Sequence, residues 1–135
     1  MKKYMLNKKI QTLFAIFLLV IVASSLQLLQ VQNRNLYLGY DWVFHYNRFY
    51  DAAQQIKEGN FQYFITMYGF TQSGRIVNAL YGPMFAYFNG LLILITKSWF
   101  NYQLLTNFLI TFLASLSMFI LLIKNNIRIR ISFLL

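Results

Sequence analysis

Leu104 to Ile123 reads LLTNFLITFLASLSMFILLI, twenty residues without a single charge, and the fold turns on this run. As a helix it extends about 30 Å at about 1.5 Å per residue, the thickness of a bilayer's hydrocarbon core. Inside lipid no water is at hand for the backbone, so its amides and carbonyls must pair within the segment, which makes the run helical. Two more uncharged runs precede it: Ile10 to Val31, 22 residues, and Ile76 to Thr96, 21 residues. The sequence therefore predicts an all-α membrane protein. Its three transmembrane helices lie over about 10–31, 76–96 and 104–123, with one sizeable loop over about 32–75.

Composition points the same way. The 135 residues are 59% hydrophobic, 19% aromatic and 11% charged, whereas a soluble domain carries about a quarter of its residues as charged ones. Twelve Lys and Arg stand against three Asp and Glu, a formal +9. The basic residues are sparse and sit at the ends of apolar runs, which suits membrane topology and anionic lipid rather than nucleic acid. Without cysteine, disulfides and thiolate metal sites are excluded.

Lys2, Lys3, Lys8 and Lys9 precede the first run. That run is too long for a signal peptide, and Gln27-Leu-Leu-Gln30 is a poor small-residue cleavage site, so it reads as an uncleaved signal anchor. Positive residues stay on the cytoplasmic side. This predicts a multi-pass membrane protein with a cytoplasmic N-terminus, an external first loop, and the link Lys97–Gln103 inside. Lys124, Arg128 and Arg130 then fall outside, against the same rule. The N-terminal cluster weighs more because the first helix usually dominates orientation. From Ile131 the tail reads either as the start of a fourth helix cut short or as an interfacial tail with alternating Ile and Arg. One membrane unit over 1–135 is the simplest count.

Within the loop, Asp41 is placed to cap a helix that runs from Trp42 to Glu58 and stops at Gly59-Asn60. Trp42, Tyr46, Phe49, Ala53 and Ile56 make an apolar stripe, and Asn47, Asp51, Gln54 and Glu58 keep the same rhythm on a polar side. This predicts an amphipathic helix lying flat at the outer membrane interface. Asp41, His45 and Arg48 stand at i, i+4 and i+7, within roughly 60° of one another around the helix. Together they could bind a phosphate and take a proton from a hydroxyl. Spacing alone favours plainer roles: a cap, an interfacial polar residue and a snorkelling arginine. As metal ligands they are too few, because the chain has one His. Further on, the aromatic stretch Phe61–Phe70 suits the interface, and Gly90 would admit a close neighbour. Asn107, Thr111 and Ser115 line a face suited to helix packing.

Three features taken together resemble a family. They are the cytoplasmic basic start with one helix, the external Gly39-Tyr-Asp41-Trp-Val-Phe-His45-Tyr-Asn-Arg48 with its amphipathic helix, and the later Tyr81-Gly82-Pro83-Met-Phe-Ala-Tyr87. The sequence resembles the N-terminal end of multi-spanning bacterial membrane proteins of glycosyltransferase C-type fold, nearest those carrying the "6-pyruvoyl-tetrahydropterin synthase related" membrane domain. The resemblance implies a polyprenyl-phosphate-linked sugar as donor. It implies Asp41 as catalytic base or ligand of a divalent cation, with His45 and Arg48 in supporting roles. It also implies that 135 residues form a fragment, inactive alone, because such proteins have about eight or more spans. Where many members carry a second acid, Trp42 follows Asp41. The alternative is a complete small membrane protein, an accessory or scaffold subunit working through helix packing or self-association.

Overall fold

The computed structural model describes residues 2–125, with side chains from residue 9. The tail from Ile127, with Arg128 and Arg130, lies outside the described residues. Among those described, the secondary structure is all helical, without a strand. The order is α1 (Lys2–Ser25), α2 (Leu28–Asn33), α3 (Trp42–Glu58), α4 (Asn78–Tyr81), α5 (Pro83–Thr96) and α6 (Trp99–Lys124), with a 3₁₀ turn at Phe70–Gln72. The chain divides into two compact units, residues 1–34 with 104–135, and residues 35–103.

The first unit holds two helices long and apolar enough to cross a membrane, Lys9–Asn33 and Trp99–Lys124, the latter entering it at Leu104. Only 11% and 6% of their most apolar windows are buried, so among the described residues both leave most of their apolar surface uncovered. Ala15, Ala23, Gln30 and Phe119 are buried there. Asn107 donates to Gln30 Oε1 at 3.3 Å, while Thr111 turns back on its own helix, donating to the Asn107 carbonyl at 2.8 Å.

The second unit is built on α3 against α5. Phe49, Ala52, Ala86 and Tyr102 form its buried core, with Tyr46, Leu92, Ile93 and Trp99 packed around them. Tyr46 stacks on Trp99 with centroids 4.5 Å apart. The neighbour that Gly90 admits is α3: a Cβ there would sit 2.7 Å from the Ala53 nitrogen. At the C-terminal end of the unit, Gln103 fixes the lead-in to α3. Its Oε1 accepts from the Tyr37 amide at 3.0 Å, and its Nε2 donates to the Tyr37 carbonyl at 2.8 Å.

Four expectations change. The run 76–96 is not one helix, because Gly82 adopts φ +73°, a left-handed turn that separates α4 from α5. At 14 residues, α5 spans about 21 Å, short of a bilayer core. The last helix begins at Trp99 rather than Leu104, since Tyr102 and Gln103 are buried tertiary contacts rather than link residues. The apolar stripe of α3 is spent on protein: Tyr46 and Phe49 meet Trp99, Phe85 and Tyr102. Finally, the polar side of α3 is not solvated throughout. Asp51 is fully buried, with Oδ1 accepting from the amides of Met67, Tyr68 and Gly69 at 2.8, 2.7 and 3.0 Å, and Oδ2 from Gln55 at 2.7 Å.

Candidate functional site

Helix α3 positions two of the three predicted site residues side by side. His45 and Arg48 are three residues apart, neighbours on a helix face, and Arg48 Nη1 donates to His45 Nδ1 at 3.2 Å. Arginine has no acceptor, so this bond leaves Nδ1 bare and puts the proton of the neutral imidazole on Nε2. Asp41 is apart from them. Its carbonyl accepts from the His45 amide at 3.1 Å, but the carboxylate is exposed and makes no hydrogen bond among the described residues. The expected side-chain cap is absent. Asp41 has φ −99° and ψ 5°, outside the extended region a capping residue uses, so the carboxylate is not aimed back at the first-turn amides.

Arg48 does not snorkel; it is 1% exposed. Its Nε donates to Asn78 Oδ1 at 3.1 Å, and Nη2 reaches the Gly82 carbonyl at 3.5 Å. The ring of Tyr81 covers the guanidinium with 4.8 Å to its centroid, while Phe44 and His45 meet that ring at its edges. Among the described residues no carboxylate pairs with Arg48. Burial lowers the guanidinium below its ordinary range, and Tyr81 opposes this. Arginine nonetheless stays charged at neutral pH. Two residues before Arg48, the Tyr46 phenol is pushed up to about 12 by burial, against the hydrogen bond from Gln103.

Asn78, Tyr81 and Gly82 therefore belong to this site, though the periodicity of the loop helix does not reach them. One signal for Asn78 was available: an amide inside an apolar run is costly without a purpose. For a metal, the described residues gather no group of three His, Asp or Glu side chains. A cation here would have Asp41 as its single acidic ligand.

No family model, curated protein or solved structure matches the chain.

Proposed function

We propose that this chain is the N-terminal part of a glycosyltransferase-like protein of the bacterial cell membrane, acting with further helices on a polyprenyl-phosphate-linked sugar at the outer face. The observation that carries the reading is Arg48, a buried cation without a carboxylate, beside His45 on the helix that follows the first span. Arg48 and His45 would hold the donor's phosphate. Asp41, exposed and unbonded, is free to act as base on the acceptor hydroxyl or to hold a divalent cation. The two long, largely uncovered apolar helices support a membrane setting.

The full topology has a cytoplasmic N-terminus, three crossings and residues 32–75 outside. The middle crossing would need α4 and α5 in sequence, 19 residues from Asn78 to Thr96, bent at Gly82. The interfacial contact would run through Leu36, Tyr37, Leu38, Tyr40 and Val43, all exposed. Reporter fusions at Gly59 and Ser98 should read outside and inside; an inside reading at Gly59 places Asp41 on the wrong side for this chemistry. A photoreactive polyprenyl-phosphate sugar added to membranes holding the chain should label residues 35–103 and be competed off by polyprenyl phosphate. Absence of labelling removes the donor from the proposal. The second reading, a scaffold subunit, is favoured by the 6% burial of the α6 window; it calls for a stable partner or self-association in mild detergent.

A further inference from the structure

The surroundings of Arg48 are rich in donors and short of an acceptor. Five N–H groups leave a guanidinium. Asn78, His45 and Gly82 take three of them, the last at the limiting 3.5 Å, so two have no acceptor among the described residues. The Nδ2 group of Asn78 is itself buried and has no partner among the described residues. Turning the carboxamide over would set Nδ2 against the Arg48 Nε–H, donor against donor, so the orientation holds. His45, accepting through Nδ1, carries its own N–H at Nε2, on the side of the ring away from Arg48. One positive charge, two guanidinium N–H groups and the Asn78 Nδ2 group thus stand without a carboxylate to pair with among the described residues. Asp51, three residues along α3, is occupied by loop amides and Gln55.

Open space lies beside Gly82. A Cβ built on Gly82 meets nothing within 4 Å, and Tyr81 and Gly82 are both exposed. The carbonyl of Gly82 faces the guanidinium, and the Tyr81 ring is its outer cover.

We propose that Arg48 and Asn78, with His45 holding the guanidinium through Nδ1, form an oxyanion site that takes a terminal phosphate group entering beside Gly82 as the Tyr81 ring gives way. Three terminal oxygens match about four donors better than the two of a carboxylate, and a planar guanidinium fork suits phosphate bidentately. The donors carry the chemistry by themselves; only the expectation that the phosphate is membrane-borne rests on the function proposed above, where the terminal phosphate is that of the polyprenyl phosphate released as the sugar leaves.

The test is thermal unfolding of the full chain in neutral detergent, with inorganic phosphate in one arm and phosphatidic acid in mixed micelles in the other, against chloride at equal ionic strength. A raised midpoint in both arms supports the site for any phosphomonoester. A rise with phosphatidic acid alone assigns a lipid source, and a rise with inorganic phosphate alone a soluble one. No rise in either arm overturns the site. Asn78→Asp keeps the oxygen facing Arg48 and supplies the missing negative charge, so it should unfold at a higher temperature without phosphate and bind phosphate about tenfold or more weakly. Equal phosphate response in wild type and Asn78→Asp overturns the proposal. Tyr81→Ala, at an exposed ring, keeps the test open where Asn78→Asp fails to fold. Uncovering the guanidinium should tighten phosphate binding several-fold, and unchanged binding overturns the site. These readouts do not pass through sugar transfer. Phosphate binding without photolabelling by the lipid-linked sugar removes the proposed function and keeps the site, and labelling without phosphate binding does the reverse.

Discussion

The Asp51 carboxylate should be the most expensive single side chain to lose in the unit of residues 35–103. Its Oδ1 accepts from three successive amides, Met67, Tyr68 and Gly69, and fixes a loop that then passes through left-handed φ values at Phe70, Thr71 and Gln72. In Asp51→Ala, the buried Gly69 amide loses its acceptor outright, while the amides of exposed Met67 and half-buried Tyr68 recover part of theirs from water. At about 1–3 kcal/mol for an unsatisfied buried donor, and less for the other two, the loss is about 3–5 kcal/mol. Asp51→Asn keeps one carbonyl for the loop but sets an NH₂ against Gln55 Nε2. Gln55 cannot turn over in response, because its Oε1 accepts from the Gln62 amide and the Tyr87 hydroxyl. This variant should therefore cost about 2–3 kcal/mol rather than little. The assay is thermal unfolding in detergent, combined with hydrogen exchange at amides 67–69. If Asp51→Ala lies within 1 kcal/mol of wild type and those amides keep their protection, the clamp does not hold the loop.

Gly90→Ala should destabilise by about 1–3 kcal/mol, because its Cβ meets backbone of α3 rather than a yielding side chain; an unchanged midpoint would mean that α3 and α5 are not in close contact. Tyr46 is raised from 10.0 to about 12, so the folded state keeps a proton that the unfolded state releases from pH 10 upward. That contribution is full below pH 10 and is lost as pH rises towards 12, and Tyr46→Phe should show a shallower decline in stability across that window. Asp41→Asn has no cap to lose and should leave the unfolding midpoint within about 0.5 kcal/mol. In membranes where sugar transfer can be measured, it should lower the rate by about 10²-fold or more if the carboxylate is the base.

How much of this was legible depends on what each residue's neighbours are. Helix α3 was readable to its ends because its 3.6-residue stripe and the Gly59 stop are local signals. Gly59 has φ +67° and returns its amide to the last turn, as a helix-ending glycine does. The interruption at Gly82 was hidden, since counting uncharged residues says nothing about φ. The burial of Asp51 and Arg48 was hidden for a different reason. A charged residue on an amphipathic helix reads as solvated, and what buries these two lies far along the chain. The amides that satisfy Asp51 come 16 to 18 residues later, and Asn78 comes 30 residues after Arg48. The apolar stripe was correctly drawn but assigned to lipid, because pattern alone does not distinguish a bilayer from α5.

The scarcity of acid narrows the chemistry further. The chain has three carboxylates, Asp41, Asp51 and Glu58. Asp51 is saturated by four donors and enclosed, so it can neither take a substrate proton nor neutralise Arg48 without releasing the loop. Glu58 closes the far end of the 17-residue α3, about 25 Å along the axis from Asp41. Of this chain's own side chains, the carboxylate for chemistry near His45 is therefore Asp41, which makes no hydrogen bond to His45 or Arg48. A ligand with an anion at one end and a hydroxyl or cation at the other would link them, held at Arg48 and presented to Asp41. A donor phosphate with its acceptor has that form; a simple interfacial anchor does not, and would leave the buried cation without a counter-charge.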